Sequence, residues 1–174
     1  LLNLAYFFIE FSVAVKINSV SLFVDSIDFL EDTFINLLIF FSCLITSPLR
    51  PKISKILVII ILLPGLTALW AAWEQLMRPS VPEAFELTIV GLGALLINFI
   101  CTIILMRFRK NDESLTKAAF LSARNDVLSN LTIITAGLTI MIYPSIWPDL
   151  IAGIIVFSIN FDAAYKVYKI ANTE

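Results

Sequence analysis

Six long apolar segments constrain this chain more than any other feature of its sequence. Turn-forming stretches such as SPLRP and YPSIWPD separate them. A helix needs roughly 20 residues to cross a bilayer, and most of the segments reach that length. Only helices satisfy their backbone hydrogen bonds within one segment in lipid, so we predict an all-α integral membrane protein, a six-transmembrane-helix bundle. The predicted helices cover approximately residues 1–17, 20–46, 54–73, 86–107, 117–141 and 147–170.

The composition favours the lipid bilayer as the surroundings of this chain and excludes several other classes. The chain is 59% hydrophobic and 15% charged, with a mean hydropathy of +0.93, which leaves too little polar surface for a soluble domain. A net charge of −2 offers no basic surface for nucleic acid. The absence of histidine removes the commonest zinc ligand and the usual proton carrier at neutral pH. Cys43 and Cys101 lie far apart in apolar runs, so we expect buried thiols and no disulfide.

Lysine and arginine indicate the orientation of the helices. With both termini cytoplasmic, only Lys16 and Arg78 fall in outside loops. The inside loops would hold Arg50, Lys52, Lys55, Arg107, Arg109, Lys110, Lys117, Lys166 and Lys169. This is a positive-inside distribution. We therefore expect residues 1–174 to form a single transmembrane domain with no soluble domain, multi-pass in the bacterial inner membrane. Because the chain starts with Leu1 in an apolar run, we also expect a short N-terminal piece to be missing.

The stretch DSIDFLED places four carboxylates, Asp25, Asp28, Glu31 and Asp32, inside the second apolar segment. Asp28 and Asp32 are spaced to share one helix face, and Asp25 continues the same stripe. An ionised carboxylate at bilayer depth is costly, and neighbouring carboxylates also repel. Such a stripe persists only if a cation, or protons for part of the time, compensates the charge. A divalent metal ion that competes with protons for the same oxygens meets both conditions.

Two structural alternatives for these acids are a water-filled vestibule and pairing with basic residues. Arg124 is the only cation at the predicted membrane depth, and one cation cannot neutralise this many acids. We expect Arg124 to pair with Glu10, with Glu31 as the alternative partner.

Residues near the predicted membrane boundaries have structural interpretations. Trp70, Trp73 and Trp147 are expected to be interfacial anchors. Asp149 follows Pro148 at the start of the last helix, and we predict that it caps that helix.

The fifth apolar segment supplies a second acid at mid-membrane depth, Asp126, within SARNDVLSN. Ser122 and Ser129 lie one turn before and after it on the same face. Asn125 is offset by about 100° and could still reach inward. Two antiparallel helices with central polar groups would form a small oxygen-rich site. We predict that this site binds a divalent metal ion.

A short similarity links the two acid-bearing segments. D-TFI-NL begins at Asp32 and D-VLS-NL at Asp126, so each acid is followed four residues later by an amide, Asn36 or Asn130. Such amides would orient the carboxylates from outside the site. The similarity is explained equally well by an inverted repeat and by chance. The predicted metal ligands are Asp28, Asp32, Asp126, Ser122 and Asn125. The predicted proton-relay or supporting residues are Asp25, Asn36, Asn130 and Ser129.

The run NLAYFFIEFSVAVKINSVSLFVDSIDFLED resembles the first two helices of the cation diffusion facilitator family of divalent metal transporters. That family has an Asn and a Glu in helix one, a Ser-rich turn, and an aspartate before an H/D-x-x-x-D metal motif. The matching residues are Asn3, Glu10, Ser19, Ser21, Asp25, Asp28 and Asp32. The family's second H/D-x-x-x-D motif matches Ser122 and Asp126. ALLINF and WPDLIAGIIV resemble its fourth and sixth helices, so the resemblance covers essentially the whole chain.

The resemblance implies a homodimeric divalent cation efflux transporter, a metal/proton antiporter and not an enzyme. It implies no cofactor besides the transported Zn²⁺, Co²⁺, Mn²⁺ or Fe²⁺. An all-oxygen site favours the harder Mn²⁺, Mg²⁺ and Fe²⁺, although Zn²⁺ and Co²⁺ also accept carboxylates. Ser122 stands where the family has histidine or aspartate, which leaves Asn125 or water to complete the coordination. We expect a short form without the family's C-terminal cytoplasmic domain.

Three other functions compete with metal transport. A transport-inactive family member that acts as a membrane scaffold or subunit would share the fold, and Ser122 is the residue that favours it. An intramembrane enzyme is disfavoured because no serine has an evident base other than Asp126. A proton-only or organic-cation carrier would need an aromatic-lined pocket, which the acid-bearing faces do not suggest.

Overall fold

The computed structural model of the chain describes residues 1–42, 67, 69–108 and 114–171. Every regular element in these ranges is a helix, so the predicted all-α membrane fold is confirmed. The helices are α1 (Leu2–Ile17), α2 (Val20–Ser42), α3 (69–77), α4 (Ala84–Phe108), α5 (Ser114–Ile142) and α6 (Trp147–Ala171). Residues 54–66 of the predicted third helix lie outside the described ranges.

The outer surface of the helix bundle is apolar, and its interior is polar. Phe8, Phe85 and Leu96 are more than half exposed, whereas Glu10 and Asp25 are almost completely buried. Buried polar side chains are about as numerous as buried apolar ones in the part of the chain that is described. Soluble proteins have the reverse arrangement. The bundle is therefore suited to lipid around it and to polar chemistry within it.

Two of the described helical spans, Ala84–Ile104 and Arg124–Ile142, are long and apolar enough to cross a membrane by themselves. Helix α2 has the necessary length, but its four carboxylates lower its hydropathy. Hydroxyl groups on the exposed faces bond to their own helix: Thr135 donates to the Leu131 carbonyl at 2.7 Å and Ser158 to the Ile154 carbonyl at 2.7 Å. The hydroxyl groups on the faces exposed to lipid are therefore already hydrogen-bonded.

Helix α2 is at the centre of the bundle, in contact with α1, α5 and α6, while α4 packs against α1 and α5. Small residues permit close packing of α4 against α5. A Cβ atom added at Gly137 would lie 3.2 Å from the Thr88 amide nitrogen and 3.3 Å from the Ala84 carbonyl oxygen. Such small-residue contacts are a common means of helix association in membranes, where lipid tails are as apolar as the side chains. The fully buried side chains Leu22, Leu87, Ile133 and Val156 complete the core.

One end of the bundle, where the α1–α2 turn meets the start of α6, is held by Asp149, which is completely buried. Its carboxylate accepts hydrogen bonds from the Ser19 hydroxyl at 2.7 Å and from the Ser21 hydroxyl at 2.5 Å. The backbone N–H groups of Val20 and Ser21 also donate to it, at 2.7 and 3.2 Å. The Gln75 amide donates to it at 3.3 Å and also to the Asn18 carbonyl at 3.2 Å. We call this arrangement of Asp149, Ser19, Ser21 and Gln75 the Asp149 cap.

The Asp149 cap corrects the sequence prediction for this residue. Asp149 caps the first turn of α2 and not that of its own helix α6. The first turn of α2 has unsatisfied N–H groups and the positive end of the helix dipole, and both attract a carboxylate. The turn before it reverses at Asn18, which has φ 54° and ψ 44°, a left-handed conformation that asparagine tolerates well.

Substitution of Asp149 by alanine is expected to lower the free energy of unfolding by about 2–4 kcal/mol, because it leaves buried hydroxyl and N–H donors without an acceptor. The measurement is thermal or denaturant unfolding in detergent, followed by tryptophan fluorescence. Glu83→Ala, which removes an exposed carboxylate, is the control and is expected to change stability by less than about 0.5 kcal/mol. Equal stability of the two variants would contradict the role of the Asp149 cap.

Gly137→Val is expected to destabilise the protein by about 1–3 kcal/mol, since the new side chain would meet the backbone of α4. The neighbouring change Leu138→Val, at a position that is 49% exposed, is the control and is expected to have a small effect. Both are compared by the same unfolding measurement. A stable Gly137→Val variant would mean that α4 and α5 can separate without cost.

Candidate metal centre

The three aspartates of α2 face the interior of the bundle. Asp25, Asp28 and Asp32 are 1%, 8% and 9% exposed. Their spacing keeps them on one face of α2, which contacts α1, α5 and α6. Glu31 lies off this stripe and is only partly buried. The predicted carboxylate stripe is therefore present as an inward-facing feature.

Neutral amides from neighbouring helices bond to two of these carboxylates. Asn160 of α6 donates to Oδ2 of Asp28. Asn3 of α1 donates to Oδ2 of Asp32 at 3.1 Å, and its own Oδ1 accepts a hydrogen bond from the Cys101 thiol of α4 at 3.2 Å. The amides fix the carboxylate orientations without adding positive charge. A neutral amide therefore orients each carboxylate without contributing a positive charge.

Helix α5 brings Asp126 to the same region. Asp126 is 5% exposed and lies within electrostatic range of Asp32 and Asp28. The negative charge of Asp32 acts on Asp126 more strongly than that of Asp28. Ser129 and Asn130 are completely buried beside it, and Asn125 is partly buried. The Asn130 amide donates to the Asp126 backbone carbonyl at 2.5 Å and so bonds to the main chain of its own helix.

Several buried oxygens in this region have no hydrogen-bond donor among the described residues. They are Oδ1 of Asp28, Oγ of Ser129 and Oδ1 of Asn130. Buried acceptors are nearly always satisfied in folded proteins, so unsatisfied ones mark places for a ligand. Oxygen donors of this kind suit a hard or borderline divalent cation.

The described acids are not already assembled around a metal ion. No three His, Cys, Asp or Glu side chains in the described ranges stand close enough together to form a ligand set. The side chains of Ser122 and Asn36 lie outside the described part of the chain, although their backbones belong to α5 and α2. Their predicted roles stay predictions.

The predicted ion pair between Glu10 and Arg124 is wrong. Glu10 is completely buried, and neither of its oxygens has a hydrogen-bond donor, while Arg124 is exposed. Arg124 and Asp126 are two residues apart, which is a rotation of about 200° around the axis of α5. Asp126 therefore faces inward and Arg124 outward. No ion pair to Glu31 is present within the described residues either. Among the described residues an ion pair joins Lys16 to Glu86 at 2.7 Å, at the end of the bundle that holds the Asp149 cap.

The sequence interpretation missed the residues that bond to the acids. Asn160 was not singled out, and Asn3 entered only through the family resemblance. Both are asparagines inside apolar segments, where an amide without a partner is costly. That signal could have marked them as partners of buried acids. The specific pairings depend on the relative rotation of helices far apart in sequence, which the periodicity of one helix does not give.

Comparison with known families gives one match. The family model of the cation efflux transmembrane domain matches residues 53–171, more than half of the chain. The matched range includes Asp126 and Asn160, whereas Asp28 and Asp32 precede it. No curated protein matches the chain.

Asn160→Ala is expected to weaken divalent cation binding by about 10–100-fold, the usual effect of removing a hydrogen-bond partner that orients a ligand. Binding is measured by equilibrium dialysis of the detergent-solubilised protein with Zn²⁺ or Mn²⁺. Ser158→Ala is the matched control on the same helix, because its hydroxyl bonds only to the Ile154 carbonyl. Unchanged affinity of Asn160→Ala would mean that its hydrogen bond to Asp28 does not contribute to cation binding.

Proposed function

The chain belongs to the cation efflux family, and we propose that it is a metal/proton antiporter that binds its ion between α2 and α5. Membership establishes a membrane transporter that exports metal cations. The single observation that carries the finer proposal is the burial of three carboxylates, Asp28, Asp32 and Asp126, within electrostatic range of one another in the interior of the bundle.

The electrostatics of these acids support an exchange of protons for metal. Three ionised carboxylates cannot remain together in a low-dielectric interior. Their charge is balanced either by protons or by a divalent cation, and both occupy the same oxygens. Facing the cytoplasm, the acids release protons and take up the metal ion. Facing outward, incoming protons displace it. The coupling of metal movement to proton movement then follows from competition for these ligands.

The amide partners of the carboxylates link this exchange to a movement of the helices. Asn160 and Asn3 bond to the carboxylates in the conformation described, in which the acids do not form a ready ligand set. When a cation binds, the carboxylates turn toward it and the amides either follow or release them. Because the amides belong to α6 and α1, the change is transmitted to helices outside the site. Rocking of these helices would open the site to one side at a time.

The remaining ligands and the choice of metal follow from the oxygen donors available. We propose that Ser122 and Asn125 complete the coordination, with water where they do not reach. Such a donor set favours Mn²⁺ or Fe²⁺, and Zn²⁺ and Co²⁺ accept the same ligands. Asp25, Asn36, Asn130 and Ser129 would support the site or relay protons.

The orientation and the assembly are also part of the proposal. The lysine and arginine distribution supports six passes with both termini cytoplasmic. In that orientation the Asp149 cap lies at the outer end. The resemblance to the family supports a homodimer.

A second candidate function is a transport-inactive scaffold or subunit of the same fold. The observation that favours it is Ser122, which removes one strong ligand from the family's motif. Binding of a divalent metal ion by the carboxylates would still be possible, but flux would not occur.

The deciding measurement is metal flux into proteoliposomes under an imposed pH gradient, with Zn²⁺, Co²⁺, Mn²⁺ and Fe²⁺ tested in turn. Wild type is expected to move at least one of these ions. Asp126→Ala is expected to reduce that flux by at least about tenfold. Glu86→Gln, which removes a carboxylate of the outer-end ion pair, serves as the control. Folded wild-type protein that moves none of the four ions would favour the scaffold function.

A further inference from the structure

Glu10 is a buried acid that the proposed metal site does not use. It is 0% exposed in the middle of α1, and neither carboxyl oxygen receives a hydrogen bond from an N–H or O–H group of the described residues. A fully buried carboxylate without any donor is among the most costly groups that a protein can contain. Its presence in the interior therefore calls for a specific cationic partner.

The side chain that Glu10 meets is another acid. Glu10 and Asp25 are both buried where α1 packs against α2, within electrostatic range of each other, and Oδ2 of Asp25 likewise has no donor among the described residues. An ionised carboxylate is only an acceptor, so two ionised groups cannot bond to each other. A hydrogen bond joins them when one of the two holds a proton. A single proton thus satisfies both groups and halves their combined charge.

The described groups around this pair do not supply the positive charge or the hydrogen bond that the proton provides. On α1, the Tyr6 hydroxyl lies near both acids but donates to the Val90 carbonyl at 2.6 Å. On α2 and α5, the neighbouring groups in electrostatic range are the acids Asp28, Asp32 and Asp126.

The nearest helices on the other sides add no cation within the described ranges. On α4, Glu86 is paired with Lys16, and on α6, Asp149 is in the Asp149 cap, while the side chain of Asp162 lies outside the described part of the chain. Among the described side chains, the ionisable neighbours of the pair are therefore acids and a tyrosine.

We propose that Glu10 and Asp25 form a proton site that is separate from the metal ligands and carries one of the exchanged protons. This inference rests on the proposed antiport function and adds to it a second site, at which a proton binds. Asp25 precedes Asp28 by one helical turn, about 5–6 Å between Cβ atoms. The two sites are close enough to influence each other and far enough apart to hold different ions.

The coupling follows from the charge of the metal ion. When a divalent cation binds at Asp28, its field stabilises the ionised form of both members of the pair. The O–H bond of the protonated carboxyl breaks, and the proton leaves to water on the side to which the site is open. When the cation departs, the pair and the α2 acids repel one another, and a proton binds again. One proton per cycle thereby moves opposite to the metal ion.

The first test counts protons released when metal binds. Wild type and Glu10→Gln are titrated with Zn²⁺ or Mn²⁺ by calorimetry in buffers of different ionisation enthalpy. The glutamine amide keeps the volume and donates to Asp25, so the variant has no shared proton to release. We expect Glu10→Gln to release about one proton fewer per bound metal ion than wild type. Glu31→Gln, an equivalent change on α2 outside the pair, is expected to release as many protons as wild type.

The second test separates proton coupling from transport itself. In proteoliposomes without a pH gradient, Glu10→Gln is expected to keep metal-for-metal exchange within about threefold of wild type. Its flux driven by a pH gradient is expected to fall by about tenfold or more. If Glu10→Gln does not exchange metal, the proton count decides: Asp25→Asn supplies the same amide donor from the other side and is expected to release about one proton fewer per bound metal ion than wild type.

The possible outcomes are distinct. Unchanged proton release together with unchanged gradient-driven flux in Glu10→Gln and in Asp25→Asn would overturn the proton site. Loss of metal binding in both variants would also overturn it, because the pair would then be part of the metal site. A folded wild type that neither binds nor exchanges metal overturns the proposed function itself, and the proton site with it.

Discussion

The carboxylates of α2 must find their compensation inside the protein, because lipid offers neither water nor counterions. The other described contacts in the bundle can be understood from this requirement. Helices α1 and α6 each contribute an amide to the α2 acids, and α5 contributes a third carboxylate to the same region. The Asp149 cap satisfies the first turn of the same helix. Helix α2 thus determines which faces its neighbours turn inward, and the apolar faces that remain are left for lipid.

Neutral partners suit the ion exchange proposed for the carboxylates of α2. A lysine or arginine beside Asp28 or Asp32 would neutralise the site permanently, and the metal ion would have to displace a covalently attached cation. An asparagine positions the carboxylate but leaves its charge unbalanced. The charge is then balanced by whichever mobile cation is present. The exposed position of Arg124 is consistent with this requirement, since a guanidinium group in the interior would compete with the metal ion for the same acids.

Much of the helical framework could be predicted from the sequence, because it depends on properties local to each segment. The apolar length of 86–107 and the break at YPSIWPD give α4 and the start of α6 almost directly. The inward face of α2 follows from the spacing of its acids. The partners of those acids could not be predicted, because Asn160 and Asp28 lie 132 residues apart in sequence. Pairing at such distances depends on how the helices rotate against each other. The Glu10–Arg124 prediction was wrong because it matched charges without considering which face of α5 each residue occupies.

The Asp149 cap also has a consequence for biogenesis. The residues that satisfy the start of α2 and orient Asp28 belong to α6, about 130 residues later in the chain. During synthesis α2 enters the membrane long before these partners exist. Its carboxylates and first-turn N–H groups must therefore stay near water or within the insertion machinery until α6 arrives. The polar interior therefore cannot be sealed from lipid before α6 has packed against α2.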